Sequence, residues 1–229
     1  MTLHRFFVEP DDVDDDRFGL PAAIERQVRR VLRLGDGDRI VLLTGDGSEL
    51  LVRLEAGDCV VEERRAAVGE PAHRLTIVQA LLKADGLEEV VQRGTELGVA
   101  AFRLTVTERC VARDLSDRKL VRLRAIARES AEQSERGIVP SVDGPVPLRA
   151  VLQAGSVLLY ERDDSLRLGA VPPPSVVIIG PEGGFSPAEV QAARVAGVEV
   201  VGLGPRILRS STVAPAVAAA ILSRTGDFA

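Results

Sequence analysis

The sequence predicts an α/β protein whose larger part is built on a parallel β-sheet. Residues 176–179 and 198–203 are short apolar runs bounded by Gly/Pro turns, as buried strands are. Similar apolar runs occupy residues 75–82, 100–106 and 155–161, and stretches with helical signals separate them. Such alternation of strands and helices is typical of a parallel sheet.

The loops that follow two of these runs are candidate ligand sites. The first reads GPEGGF over residues 180–185, and the second reads GPRILRSST over residues 204–212. Ligands of open parallel sheets lie beyond the carboxyl ends of strands, and glycine lets backbone N–H groups come close to them. Because Gly-Pro and Gly-Gly are also common turn residues, plain structural turns fit the same pattern.

Two features favour a binding site over plain turns. Ser186, Pro187 and Glu189 have the spacing of an N-cap, a first-turn proline and a capping-box glutamate, which predicts a helix directly after the first loop. The positive end of that helix points near the loop. Arg206 and Arg209 stand in the second loop, where a simple turn has no evident use for them.

The chain divides near Gly69-Glu70-Pro71 into predicted domains of residues 1–70 and 73–229. In the first domain, residues 39–44, 49–55 and 59–65 alternate apolar and polar side chains between glycine-containing turns, which predicts a small antiparallel β unit. In the second domain, helices are predicted after Asp85, over residues 116–134 and over residues 212–223.

Composition excludes several classes of protein. No apolar stretch approaches the ~18 residues that a membrane span needs, and the amino terminus lacks an apolar signal core. Cys59 and Cys110 form no C-x-x-C motif, which indicates a reducing compartment, and His4 and His73 make no metal cluster with them. We therefore expect a cytoplasmic protein without a membrane span or a metal.

The formal net charge of −5 argues against general affinity for nucleic acid, but the charge is unevenly distributed. An acidic run over residues 11–16 lies in the predicted first domain. A helix is predicted over residues 21–34. Its apolar side carries Ile24, Val28, Val31 and Leu32, and its opposite side carries Arg26, Arg29, Arg30 and Arg33. Residues 103–136 carry nine bases and six acids. Both basic regions fit a phosphate-contacting surface and a solvated polar face equally well.

Together the two loop sequences resemble the paired cofactor loops of the SPOUT methyltransferases, and within these the RsmE family. Segments HRFFV at 4–8, KADGLEEVVQRGTELGV at 83–99, and EQSER at 132–136 with Pro140 also resemble that family, so the resemblance covers most of the chain. Members use S-adenosyl-L-methionine to methylate N3 of a uridine in 16S ribosomal RNA.

The resemblance implies a SPOUT-type parallel sheet with a C-terminal trefoil knot, preceded by a small PUA-like β-barrel domain that binds RNA. It also implies a homodimer whose partner is 16S rRNA in the small ribosomal subunit. One departure from the family pattern is Ser211, which stands where a glutamate usually follows the second-loop arginine by two residues.

Site residues follow from the matched motifs and the basic regions. The predicted cofactor-binding residues are Ile179, Gly180, Pro181, Glu182, Gly183, Gly184, Leu203, Gly204, Ile207, Leu208, Arg209 and Ser210. The predicted RNA-binding residues are Arg5, Arg26, Arg29, Arg30, Arg33, Arg109, Arg128 and Arg136. Arg209 is also the predicted catalytic residue, because an arginine stabilises negative charge on O2 and O4 when N3 loses its proton. Glu132 is a candidate acceptor of that proton.

Two alternatives belong to other functional classes. A nicotinamide-dependent oxidoreductase would show G-x-G-x-x-G with an acidic residue about twenty positions on, and the chain has no such motif. A non-catalytic RNA-binding adaptor could use the same β domain and basic helices, but it would need no cofactor crevice.

Overall fold

A computed structural model of the protein describes residues 3–13, 15–162 and 165–228, so Asp14 of the acidic run lies outside the described residues. The chain forms two compact units, Met1–Glu70 with Ala131–Val139, and Pro71–Ser130 with Pro140–Ala229. Residues 131–139 fall within the range 73–229 predicted for the second domain, but their contacts group them with the first unit.

The first unit is built on a five-stranded sheet in the order β1-β3-β4-β5-β2. Its strands are β1 (Arg5–Phe7), β2 (Arg17–Gly19), β3 (Arg39–Leu43), β4 (Ser48–Glu55) and β5 (Asp58–Ala66). Strands β3, β4 and β5 pair antiparallel as predicted, while β1 joins β3 in parallel. The core beneath the sheet includes Phe6, Ile40, Leu54 and Cys59, and burial raises the pKa of the Cys59 thiol to about 11.

The helix predicted over residues 21–34 is shorter and changes its geometry. A regular α1 (Ala22–Arg26) is followed by a π-helical turn (Gln27–Val31), in which the Leu32 N–H donates to the Gln27 carbonyl at 2.9 Å. The wider turn rotates the residues after Arg26, and Val31, predicted to be buried, is 70% exposed. The helical spacing that defined the arginine face therefore does not continue past Arg26.

The second unit is built on a six-stranded sheet in the order β11-β9-β10-β6-β7-β8. The strands are β6 (Thr76–Ala80), β7 (Ala101–Val106), β8 (Ser141–Pro147), β9 (Val157–Leu159), β10 (Val176–Ile179) and β11 (Glu199–Val201). Every neighbouring pair is parallel, which confirms the predicted sheet. The sequence analysis missed β8, because prolines and a glycine interrupt its apolar pattern.

Four helices accompany this sheet: α2 (Gly86–Glu96), α3 (Asp117–Gln133), α4 (Pro187–Val195) and α5 (Ser210–Arg224). Helix α4 begins with the predicted capping box of Ser186 and Glu189. Asp85 occupies the N-cap of α2, but its side chain makes no cap hydrogen bond. Glu88, the third residue of α2, lies 2.5 Å from Lys119 Nζ, and this hydrogen bond lowers the pKa of the Glu88 carboxyl.

Two arginines predicted to bind RNA are largely buried in the first unit. Arg136 is 2% exposed and donates two hydrogen bonds to the Glu70 carboxylate, from Nη2 at 2.8 Å and from Nε at 3.1 Å. The Arg5 side chain is 10% exposed and lies 2.9 Å from Glu135. RNA binding by Arg136 and Arg5 therefore stays a prediction without structural support, because both guanidinium groups are paired with carboxylates of the same chain.

Replacing Arg136 with Met should lower the free energy of unfolding by about 3 kcal/mol, because it leaves a poorly solvated Glu70 carboxylate without its charged partner. Arg64→Ala, which removes an exposed ion pair with Asp16, should cost less than about 1 kcal/mol. Urea denaturation followed by circular dichroism measures both, and a cost for Arg136→Met no larger than that for Arg64→Ala would contradict a structural role.

Candidate functional site

The carboxyl ends of the six parallel strands lie along one edge of the sheet, and a cavity of about 280 Å³ opens there. Its walls are the segments that follow β9, β10 and β11. Eleven of the twelve predicted cofactor-binding residues line the cavity: Ile179, Gly180, Pro181, Glu182, Gly183, Gly184, Leu203, Gly204, Ile207, Leu208 and Ser210.

The cavity also has a wall that the sequence analysis missed. Tyr160, Glu161 and Arg162 line it at the end of β9, because β9 lies between β10 and β11 in the sheet. The two glycine loops follow β10 and β11, and β9 separates these strands in the sheet. The predicted strand at 155–161 contained the signal, but without the strand order its end could not be assigned to the site.

The first loop presents bare backbone because a side chain would not fit. A Cβ atom on Gly183 would lie 3.1 Å from Arg109 Cβ. A Cβ atom on Gly184, whose φ is +66°, would lie 2.9 Å from a carboxylate oxygen of Glu161. At Gly180 the added atom would be 3.1 Å from the Phe185 ring. The three glycines thus let the loop backbone lie close to these neighbouring residues, which a residue with a Cβ atom would prevent.

Arg109 supports this loop from behind. Its Nη1 donates to the Gly183 carbonyl at 3.1 Å. The segment that carries Arg109 is fixed in turn, because the Glu108 N–H donates to Glu189 Oε1 at 2.7 Å, while Glu189 Oε2 accepts from the Ser186 N–H at 2.9 Å. One carboxylate thereby joins the start of α4 to the loop after β7. The contacts of Arg109 within the chain account for it without an RNA ligand.

A second cavity, of about 680 Å³, adjoins the first. The segment after β6 supplies one wall, with Leu82, Lys83, Ala84, Asp85, Gly86 and Glu89. Glu182, Ile207, Leu208 and Ser210 line both cavities, and Arg209 and Ser211 line only the second. Arg209, predicted both to bind the cofactor and to act in catalysis, therefore stands in the neighbouring cavity.

Comparison with known proteins places this chain in a family. A profile of RNA methyltransferase domains matches residues 69–223. The ribosomal RNA small subunit methyltransferase E of Synechocystis is 35% identical over 235 residues, covering 96% of this chain and 77% of the relative. That of Bacillus subtilis is 31% identical and covers 96% of both chains. The chain belongs to the ribosomal RNA small subunit methyltransferase E family. The resemblance seen in the loops is confirmed.

A crystal structure of a family member shares the fold over nearly the whole chain. The ribosomal RNA small subunit methyltransferase E of Neisseria gonorrhoeae, solved bound to S-adenosyl methionine, is 29% identical with a TM-score of 0.88. The match covers 97% of this chain and 98% of that one.

The remaining predicted residues lie outside both cavities of this methyltransferase E family member. Glu132 accepts a hydrogen bond from the Phe7 N–H at 3.0 Å within the first unit, so its role as proton acceptor stays a prediction without structural support. Arg29 donates to Asp36 at 3.0 Å and to the Leu34 carbonyl at 3.2 Å. Arg26, Arg30, Arg33 and Arg128 are exposed.

The described residues contain no group of three or more His, Cys, Asp or Glu side chains suited to a metal ion. In the same part of the chain no helix is long and apolar enough to cross a membrane.

Proposed function

We propose that this protein uses S-adenosyl-L-methionine to methylate N3 of a uridine in the 16S ribosomal RNA of the small subunit. The observation that carries the proposal is the pair of adjoining cavities that share the wall of Glu182, Ile207, Leu208 and Ser210. The first cavity suits the cofactor, and the adjoining second cavity suits the target nucleobase. Family membership and the names of the relatives support the choice of cofactor and substrate.

The residues of the first cavity fit S-adenosyl-L-methionine. Gly180, Gly183 and Gly184 carry no side chains and offer their backbone groups to a ligand at close range. Ile179 and Leu208 supply apolar surface that excludes water. When bound, the cofactor supplies an electrophilic methyl group that needs no activation by the protein. The chain itself must therefore orient N3 and manage its proton.

Arg209 suits the second of these tasks. N3–H is weakly acidic, and its loss leaves negative charge on O2 and O4 of the uracil ring. A guanidinium group in the cavity that receives the base stabilises this charge as it develops. Arg209 is exposed at the start of α5 and lines only the second cavity, and this position supports a role beside the uracil ring.

The alternative of a non-catalytic RNA-binding adaptor accounts for the basic residues but gives the glycine-lined cavity no purpose. The first loop carries three glycines that line a formed cavity, and an enzyme requires such a cavity for its cofactor whereas an adaptor does not. This requirement favours the enzyme.

The finer architecture is also part of the proposal. We infer a trefoil knot at the carboxy terminus and a PUA-like barrel for the first unit. Two observations support the knot. Arg167 and Gly202 form an isolated parallel β-bridge. Arg224 of α5 donates hydrogen bonds to the carbonyls of Leu168 at 3.0 Å and Val171 at 2.6 Å. A crystal structure with the cofactor bound tests the knot through the path of residues 165–224 and the barrel through the strand pairing of residues 1–70.

We further propose a cytoplasmic homodimer that associates through the carboxy-terminal helices. The exposed side of α5 carries small residues at helical spacing, Ala216 and Ala220, which would permit close packing, and Ile207 is 84% exposed. Sedimentation equilibrium at micromolar concentration should give twice the chain mass of 24.5 kDa, and a monomer mass would refute the dimer.

Gly183→Val should weaken S-adenosyl-L-methionine binding at least ~10-fold, because the added side chain collides with Arg109 and displaces the loop backbone that lines the cavity. Isothermal titration calorimetry measures the affinity. Gly19→Val, at a strand position where an added Cβ meets nothing within 4 Å, is the control and should bind normally. Wild-type affinity in a folded Gly183→Val protein would exclude the proposed cofactor site.

Arg209→Ala should lower the single-turnover methylation rate by about 100-fold or more while RNA affinity changes less than ~3-fold, because the lost interaction acts on charge that develops during the reaction. Rapid-quench assays on small ribosomal subunits with labelled cofactor give the rate, and filter binding gives the affinity. Equal losses in both quantities would assign Arg209 to substrate binding alone.

Changing Arg26 and Arg30 together to Ala should weaken RNA binding and make the slope of log affinity against log salt about 1.5 shallower, because two phosphate contacts are lost. Cofactor affinity should not change. The matched control is Arg39→Ala with Arg53→Ala, which removes the same charge from arginines already paired with Glu62. An unaltered salt slope in the Arg26/Arg30 variant would show that this helix is a solvated face.

A further inference from the structure

We propose that Glu182 is the catalytic base that accepts the N3 proton of the target uridine. This inference rests on the proposed function and assigns its missing proton acceptor. A base must stand where the cofactor cavity meets the substrate cavity, because N3 has to face the methyl group and the proton acceptor in the same complex.

The position of Glu182 meets this requirement. The carboxylates that line the first cavity are Glu161 and Glu182, and those that line the second are Asp85, Glu89 and Glu182. Within the described part of the chain, Glu182 is thus the one carboxylate that lines both. Arg209, which would stabilise the ring oxygens, lines the second cavity with it.

The Glu182 carboxylate is also held in a defined orientation. Its Oε1 accepts a hydrogen bond from the Lys83 backbone N–H at 2.9 Å, which ties the loop after β10 to the loop after β6. Its Oε2 accepts no hydrogen bond from any described residue. One oxygen therefore positions the side chain, and the other remains available for a donor on the substrate.

The other carboxylates are less suited to the task. Asp85 lies 3.6 Å from Lys119 Nζ, and Glu161 lies against Gly184 and 3.7 Å from Arg162 Nε in the cofactor cavity. Glu132, the acceptor predicted from sequence, binds the Phe7 N–H in the first unit. Glu182 alone combines a place at the shared wall with an unoccupied oxygen among these described carboxylates.

The step balances without a further reagent. The N3 proton passes to Oε2 of Glu182, and the electron pair left on N3 forms the new bond to the methyl carbon. The electrons of the broken carbon–sulfur bond stay on sulfur, which turns from a sulfonium into a neutral thioether. Solvent then takes the proton from the carboxylic acid and restores the base.

Glu182→Gln tests the proposal, because the amide oxygen can still accept the Lys83 N–H and keep the loop in place. Calorimetry should give a cofactor affinity within ~3-fold of wild type, and filter binding should give a similar result for small subunits. The single-turnover methylation rate at neutral pH should fall by ~100-fold or more, as loss of a general base does.

The pH dependence separates catalysis from structure. Without its base, the variant depends on ionisation of N3 by hydroxide, so its residual rate should rise about tenfold per pH unit between pH 7 and 9. The wild-type rate should rise far less, because its proton acceptor is supplied by the site and not by hydroxide. A variant rate that is low but follows the wild-type pH profile would overturn the proposal, as would a rate within ~3-fold of wild type.

Two further variants show which part of the proposal is wrong if the expected result is not obtained. Glu132→Gln should keep at least about a third of the wild-type rate, and a large loss there beside an active Glu182→Gln would return the role to Glu132. Glu96→Gln, an exposed carboxylate outside both cavities, is the charge control. A wild-type protein that binds no S-adenosyl-L-methionine would overturn the proposed function itself, whereas wild-type activity with an unaffected Glu182→Gln would overturn only the base.

Discussion

The parallel arrangement of the six strands in the second unit is the constraint on which the site depends. Because β11, β9, β10, β6 and β7 all point the same way, the segments that follow them emerge along one edge. Segments far apart in sequence then become walls of the same two cavities. An antiparallel strand at any of these positions would send its loop to the opposite edge and remove a wall.

Side chains at this edge serve mainly to hold backbone in place. Glu189 caps α4 and holds the Glu108 N–H, Arg109 holds the Gly183 carbonyl, and Glu182 holds the Lys83 N–H. These contacts run from the loop after β7 through the loop after β10 to the loop after β6. These contacts hold the loops in place before a ligand binds, so the site is preorganised.

The parts predictable from sequence were those with a strong local signal. Apolar runs gave most of the second sheet, and the Ser186 capping box and the glycine loops were recognisable from a few neighbouring residues. Strand order carries no local signal, so the contribution of Tyr160, Glu161 and Arg162 could not be foreseen. The π-helical turn after Arg26, in which Val28 is fully buried, likewise has no signal in the residue spacing.

Charge was the least reliable guide to function. Arg26 and Arg136 look alike in sequence, yet one is exposed and the other is 2% exposed beside Glu70. The deciding factor is a carboxylate 66 residues earlier in the chain. Long-range pairing of this kind is what a count of basic residues within a segment cannot detect.

The segment 131–139 ties the order of synthesis to the architecture of the first unit. Glu132 holds the Phe7 N–H, and Arg136 and the Ile138 N–H both bind Glu70, so the amino-terminal sheet is completed by residues made long after it. On the ribosome, domains generally fold as their sequences emerge. Here the first unit waits until residue 139 has left the exit tunnel, by which time two strands, one complete helix and most of a second helix of the second unit are already outside. A fragment ending at Glu70 would be a sheet without its closing segment.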